Sequence, residues 1–217
     1  MKKDVLKKRV LTSAVLIFFI FLIFKSIYFM VLALLIFGTI SILEFLNLTK
    51  IIFKENFFNF LVNFFYIFFL SIFSISFFYL YNFQHTKLIL FILLAGCVAS
   101  DIGGYVFGKI FKGPKLTKIS PKKTISGALG SLILTCVVIL SLIYIETNFL
   151  NFSIFIVSLI TSISCQFGDL FFSFLKRKAK LKDTGNFLPG HGGVLDRLDG
   201  IFFGIPFGFL TLILLFK

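Results

Sequence analysis

Long apolar runs recur along nearly the whole chain, and they constrain its fold more than any other feature. Each run is long enough to cross a hydrocarbon layer of roughly 30 Å as a helix. Hydrophobic residues make up 59% of the 217 residues, which is more apolar surface than one soluble core of that length can hide. The sequence therefore predicts an all-α, polytopic integral membrane protein of about seven transmembrane helices, with six or eight as alternatives. The predicted spans are residues 10–24, 27–46, 57–83, 88–108, 125–146, 149–175 and 201–216.

Positive charge is distributed unevenly along the chain. If the N-terminus lies inside, 19 of the 22 Lys and Arg residues fall in cytoplasmic segments. Cytoplasmic loops carry such an excess, so we predict the N-terminus inside and the C-terminus outside. The net charge of +13 then reports topology, and nucleic acid is not expected as a partner. We expect a single membrane-embedded domain, 1–217, whose catalytic region at 95–200 includes two basic cytoplasmic loops, 109–124 and 176–200.

Three acidic residues lie inside apolar runs, where a charge is costly and usually functional. They are Glu44, Asp101 and Asp169. From the helical rise per residue, each lies roughly 9–12 Å inside the cytoplasmic boundary. Three helices thus offer a carboxylate at a similar depth, and we expect one shared site that opens to the cytoplasm.

The predicted helix at 149–175 carries a polar stripe at helical spacing. An acid within the stripe and a basic end favour a functional site over a hydrogen-bonded seam between helices. For Ser162 alone the seam is the better interpretation. The stripe consists of Ser162, Gln166, Asp169, Ser173 and Lys176.

Small residues follow a four-residue spacing on the predicted helix at 88–108. Such spacing favours close packing of helices over a phosphate-binding loop. The residues are Ala99, Gly103, Gly104 and Gly108.

A short basic segment, Ser120 to Thr124, directly precedes the predicted helix at 125–146. Thr124 is suited to cap this helix. Lys122 and Lys123 stand where the helix dipole is already positive. A bound anion would resolve that conflict, since helix N-termini bind phosphate readily. The alternative is that both lysines only obey the positive-inside rule.

The second loop combines acids, cations and glycines. Asp196 and Asp199 would share a face if their segment is helical. Paired carboxylates beside cations suit Mg²⁺, which takes one or two protein carboxylates, waters and substrate oxygens. His191 is the only histidine nearby and no Cys accompanies it, so a soft-metal site is not expected. Three glycines would let backbone approach a ligand closely: Gly190, Gly192 and Gly193.

The segment from Ser173 to Asp199 resembles the signature of the phosphatidate cytidylyltransferases, also called CDP-diacylglycerol synthases. That signature is similar to S-x-x-K-R, then K-D, then P-x-H-G-G-x-x-D-R-x-D, and it is present without a gap. The resemblance also covers 101–105, 120–124 and 166–170, and in effect runs from residue 95 to the C-terminus. Two departures stand out: Ser126 occupies a position where many members have Glu, and the chain is shorter than many members.

The resemblance implies that CTP reacts with phosphatidic acid to give CDP-diacylglycerol and pyrophosphate. For this reaction we predict that Mg²⁺ is held by Asp169, Asp196 and Asp199, directly or through water, and a second cation such as K⁺ is left open. Phosphates would contact Lys122, Lys123, Arg197 and Lys176, and His191 would orient phosphate or donate a hydrogen bond. The remaining substrate-binding candidates are Ser173, Arg177, Asp101, Gly192 and Gly193. Homodimerisation is expected from the family alone. The acids and the basic loops predict a site that faces the cytoplasm, and we expect a bacterial inner membrane.

Rival functions remain open at this stage. Intramembrane acids also mark ion-coupled transporters, although transport sites usually lie near the midplane between repeats. A nearer rival is another CTP-dependent lipid enzyme, such as a polyprenol kinase. A structural membrane subunit would not explain the acids and bases at 176–200.

Overall fold

The computed structural model describes residue 15 and residues 18–117, 120–187 and 192–216. The elements formed by these residues are all helices. Lys115 and Thr124 form an isolated antiparallel β-bridge. Residues 18–25 are helical and precede the first long helix. The following elements are α1 (Ile27–Phe53), α2 (Phe57–Tyr81), α3 (Gln84–Phe111), α4 (Ile125–Thr147), α5 (Phe152–Lys178), α6 (Leu195–Leu198) and α7 (Ile201–Leu215).

Six helical stretches of the described residues are long and apolar enough to cross a membrane. They are α1 to α5 and the stretch Leu195–Leu215, which joins α6 to α7. The predicted all-α, multi-pass membrane protein is confirmed. The predicted span at 10–24 lies partly outside the described residues, and the orientation of the termini stays a prediction.

Several helices extend beyond the apolar runs that predicted them. α1 continues to Phe53, α3 to Phe111 and α5 to Lys178. Each added turn carries lysine, which is stabilised by the negative end of the helix dipole. The cytoplasmic loops predicted at 109–124 and 176–200 therefore begin later than expected, after residues 111 and 178.

The structure divides into two compact units. The first contains α1, α2, the end of α5 from Leu175, and the chain to Leu198. The second contains α3, α4, α5 as far as Phe174, and the chain from Asp199. The single domain predicted over 1–217 stays a prediction, and each unit is described by itself.

In the first unit, α1 packs on α2 through polar and aromatic side chains within an otherwise apolar contact. Ser41 and Tyr66 share a hydrogen bond of 2.5 Å, and the Tyr66 ring stacks on Phe45. One turn further, the Thr49 hydroxyl donates to Asn63 Oδ1 over 2.7 Å. Each pair is satisfied only at one rotation of α1 against α2, because an unpaired polar group in an apolar contact is costly. These pairs therefore determine which face of α1 is turned away from α2.

In the second unit, α3 and α4 cross where both helices carry glycine. A Cβ atom on Gly103 would lie 2.5 Å from the carbonyl oxygen of Gly130, and one on Gly127 would lie 2.7 Å from that of Gly104. No side chain fits between backbones at this separation. The close helix packing predicted from the small residues of α3 is confirmed.

Candidate active site

In the loop between α3 and α4, residues 114–116 pair with residues 123–125. The Leu116 amide donates to the Lys123 carbonyl over 2.8 Å, and the Ile125 amide to the Pro114 carbonyl over 3.0 Å. Thr124 then caps α4, because its hydroxyl accepts a hydrogen bond of 3.1 Å from the Gly127 amide. The predicted cap is confirmed, and the two lysines before it lie directly at the start of α4.

Lys123 reaches across the second unit to an acid of α5. Its ammonium nitrogen lies 3.0 Å from Asp169 Oδ2, and both side chains are partly exposed. Lys122 beside it is exposed. The structure thus joins a predicted phosphate-binding lysine to a predicted metal-binding carboxylate, although 46 residues separate them along the chain.

The backbone before α7 lies against α5 at a glycine. A Cβ atom on Gly168 would collide with the Asp199 carbonyl oxygen, and one on Gly200 would lie 3.7 Å from Asp169 Oδ1. The Asp199 side chain is buried, and its Oδ1 accepts a hydrogen bond of 2.9 Å from the Gly200 amide. Gly168, to which the sequence pattern assigned no role, allows Asp169 and the Asp199–Gly200 turn to be neighbours within the second unit.

A second cation–carboxylate pair lies in the first unit. The Lys176 ammonium donates to Asp196 Oδ1 over 2.6 Å, and only 11% and 6% of the two side chains are exposed. Asp196 Oδ2 accepts from the amides of Thr184 and Gly193 at 2.9 and 3.0 Å. One oxygen of this carboxylate therefore binds Lys176 of α5, and the other binds two amides of the loop that follows α5. The structure assigns Asp196 a role in organising the loop, and its role as a metal ligand stays a prediction.

Glu44 of α1 contacts the same loop. Its carboxylate accepts hydrogen bonds from the Val194 amide, the Leu195 amide and the Thr184 hydroxyl, at 3.0, 2.9 and 2.8 Å. Within the first unit, the partners of Glu44 thus belong to residues 184–195. A site shared with Asp101 and Asp169 stays a prediction.

The polar stripe of α5 divides into two parts. Ser162 lies 3.4 Å from Ser100 of α3, and the Gln166 amide donates to the Ala128 carbonyl of α4 over 3.3 Å. These residues form the hydrogen-bonded seam that was the preferred interpretation of Ser162. Asp169, one turn further on, is the part of the stripe that pairs with a loop cation.

Two carboxylates of the second unit, those of Asp169 and Asp199, are candidate metal ligands. Carboxylates are the protein groups that Mg²⁺ takes, one or two at a time, beside waters and substrate oxygens. Within the described residues no group of three or more His, Cys, Asp or Glu side chains is placed to hold a metal ion. α6 ends at Leu198, so Asp199 lies in the turn after it and does not share a helix face with Asp196. The three-carboxylate set stays a prediction.

The remaining predicted site residues differ in how far their side chains are exposed. Ser173 is half-buried, whereas Asp101, Arg177 and Arg197 are exposed. Arg177 donates to the Leu181 carbonyl over 3.1 Å. A Cβ atom added to Gly192 would contact Asp196, and one added to Gly193 would collide with the Glu44 carboxylate. Two predicted residues lie outside the described residues: Gly190 and His191.

Two further residues make contacts that the sequence did not predict. Thr184 contacts both Glu44 and Asp196. Ser126 donates to the Lys112 carbonyl and lies 3.0 Å from the Thr124 hydroxyl. No local pattern signals either contact, because each joins positions that only the fold brings together.

Known proteins with related sequences match most of this chain. A profile of the cytidylyltransferase family matches residues 10–215. The phosphatidate cytidylyltransferase of Staphylococcus saprophyticus is 35% identical over 168 residues, 76% of this chain and 64% of that protein. Those of Helicobacter pylori and Rickettsia bellii are 43% and 42% identical, over 52% and 53% of this chain and 42% and 54% of theirs. The matched part of the chain thus spans between 42% and 64% of the length of these relatives. On the extent of the profile match, the chain belongs to the cytidylyltransferase family.

Proposed function

We propose that this chain is a phosphatidate cytidylyltransferase that works in phospholipid biosynthesis. It transfers the cytidylyl group of CTP to phosphatidic acid, giving CDP-diacylglycerol and pyrophosphate. The observation that carries the proposal is the pairing of Lys123 with Asp169 and of Lys176 with Asp196. All four residues belong to segments that resemble the family, and the names of the curated relatives support the same reaction.

The reaction needs no nucleophilic side chain. An oxygen of the lipid phosphate, already anionic, attacks the α-phosphorus of CTP and forms the new P–O bond. The bond from that phosphorus to the oxygen bridging to the β-phosphate breaks, and pyrophosphate leaves with the electron pair. The work of the protein is to bring two polyanions together and to stabilise the charge that develops on the phosphoryl group and the leaving group.

The cations of the two loops are suited to that work. Lys123 is held at the start of α4 by its ion pair with Asp169, and Lys122 beside it is exposed to an incoming phosphate. Lys176 and Arg197 supply further positive charge, and His191 orients phosphate or donates a hydrogen bond. We assign the other substrate contacts to Ser173, Arg177, Asp101, Gly192 and Gly193.

The carboxylates are suited to hold Mg²⁺. Asp169 and Asp199 are the two that fit, and Asp196 is the third candidate. A bound Mg²⁺ supplies neutralisation of phosphate charge in such sites. A second cation such as K⁺ is part of the proposal, as are a homodimeric state and a site that faces the cytoplasm from the inner membrane. The lipid head group would enter from the bilayer and CTP from the aqueous side.

The test is transfer of label from CTP to lipid by the purified full-length chain in detergent, with phosphatidic acid and Mg²⁺. CTP labelled at the α-phosphate should give a labelled lipid, whereas CTP labelled at the γ-phosphate should not. The label should disappear with EDTA and in Asp199→Asn, but persist in the matched variant Glu146→Gln, whose carboxylate is exposed on the same unit.

Each other outcome points to a different function. Lipid labelled only from the γ-phosphate, with a polyprenol as acceptor, would identify a kinase. Full activity of Asp199→Asn would overturn the metal assignment. A folded wild-type protein that labels no lipid would overturn the proposed reaction.

A further inference from the structure

We propose that Glu44 and Thr184 are positioning residues that hold the loop before α6 in the conformation needed for cytidylyl transfer. The inference rests on the proposed function and adds to it a buried acid of α1, outside the signature segment at 173–199. Together with Asp196, these two residues form a set that we call the clasp: Glu44, Thr184 and Asp196.

Glu44 is buried and fully engaged by the loop. Only 7% of its surface is exposed. Three donors of the loop converge on its two oxygens: the amides of Val194 and Leu195 and the hydroxyl of Thr184. A carboxylate has only acceptor sites, so it can satisfy all three donors at once. Its contacts are with the chain, which makes it a positioning residue and not a catalytic one.

Thr184 joins the two carboxylates of the clasp. Its hydroxyl donates to Glu44 Oε2 over 2.8 Å, and its amide donates to Asp196 Oδ2 over 2.9 Å. Asp196 in turn holds the Lys176 ammonium at 2.6 Å. Glu44 is thus connected through one residue to the cation–carboxylate pair on which the proposed function depends.

Two glycines make room for the Glu44 carboxylate. A Cβ atom on Gly185 would lie 2.5 Å from Glu44 Oε1, and one on Gly193 would lie 2.5 Å from Oε2. The backbone passes on both sides of the carboxylate at distances that no larger residue permits. The Glu44 carboxylate thus accounts for the absence of a side chain at both positions.

The seam between α1 and α2 keeps Glu44 turned toward the loop. Ser41 and Phe45 contact Tyr66 of α2, and Ser41 lies one helical turn before Glu44. Because these contacts determine the rotation of α1, they also determine where the Glu44 carboxylate meets the loop. A carboxylate buried within the protein is costly unless it is hydrogen-bonded, and its hydrogen bonds to the loop offset that cost.

The first test measures opening of the loop without reference to activity. In the full-length protein in detergent, trypsin cleavage at Lys180 should be about tenfold to hundredfold faster in Glu44→Gln than in wild type. The amide turns one acceptor into a donor that faces other donors. Loss of a hydrogen bond to a charged group shifts the equilibrium toward the open loop by about this factor, and proteolysis follows the population of the open form. Cleavage at Lys115, in the loop before α4, is the internal control and should not change.

The second test measures turnover per folded molecule. Glu44→Gln should lower kcat by about tenfold to hundredfold, while Glu55→Gln, which alters an exposed ion pair of the same unit, should leave kcat unchanged. Thr184→Ser keeps the hydroxyl and should remain active, whereas the similarly shaped Thr184→Val should lose activity like Glu44→Gln. In the double variant of Glu44→Gln and Thr184→Val, the second change should cost little.

The outcomes separate this inference from the proposed function. Unchanged kcat per folded molecule in Glu44→Gln, or equal activity of Thr184→Ser and Thr184→Val, would overturn the positioning role and leave the function standing. If wild type itself transfers no cytidylyl group, the function fails. Unchanged cleavage at Lys180 in Glu44→Gln would also overturn the inference.

Discussion

Replacing Asp196 with Asn would leave the Lys176 ammonium in a largely buried position without its counter-charge. The pair is closed at 2.6 Å, with 11% and 6% of the two side chains exposed. Breaking a buried ion pair by removing one partner costs about 3–5 kcal/mol, chiefly because the remaining charge stays buried. An asparagine can still accept hydrogen bonds from the amides of Thr184 and Gly193, so those two contacts need not be lost.

The structure favours the lower end of that range. The exposed tenth of Lys176 allows its ammonium to keep some hydration, and its long stem can turn toward water. We expect Asp196→Asn to lower the free energy of unfolding by about 3 kcal/mol. For a chain of this length that corresponds to a fall of roughly 6–12 °C in the unfolding midpoint.

The assay is thermal unfolding in detergent, followed by far-UV circular dichroism. Glu55→Gln is the matched control, because it breaks the Lys50–Glu55 pair, which is equally short at 2.6 Å but 65% and 76% exposed. Exposed pairs contribute little, so its midpoint should equal that of wild type. Combining Asp196→Asn with Lys176→Met removes the buried charge and should recover part of the loss. Equal midpoints for Asp196→Asn and Glu55→Gln would refute the reasoning.

Two further predictions concern the second unit. Gly103→Ala should lower the free energy of unfolding by about 1–3 kcal/mol, because the added Cβ would lie 2.5 Å from the Gly130 carbonyl oxygen. The control Gly38→Ala should have a smaller effect, because the nearest neighbour of its added Cβ is Leu70 Cδ2 at 3.4 Å. Equal midpoints of the two variants in thermal unfolding would contradict the packing argument. Lys123→Gln should reduce kcat/KM for CTP by about tenfold to hundredfold, because a hydrogen bond to a charged group contributes about 1.5–3 kcal/mol. An unchanged kcat/KM in the label-transfer assay would contradict a contact between Lys123 and the CTP phosphates.

The sequence by itself determined the membrane architecture, because that architecture depends on local properties. Length and hydropathy of each run identify a span without knowledge of its neighbours. The cap at Thr124 depends on four consecutive residues, and the close packing of α3 depends on small residues on one helix face. The signature from Ser173 to Asp199 is likewise contiguous. Helix ends were the least predictable local feature, since polar last turns continue the helix past the apolar run.

Only the tertiary structure decided which polar groups meet. The position of an acid along its helix follows from the rise per residue, but the groups that it faces depend on how helices and loops pack. The partners of Glu44 could therefore not be read from the sequence: it binds residues 140 to 151 positions away, Thr184 and Leu195 among them. A buried carboxylate requires donors, and the fold supplies them from a loop whose glycines permit the approach. The physical reason is that spacing specifies one helix, whereas hydrogen-bond partners are specified by the packing of several.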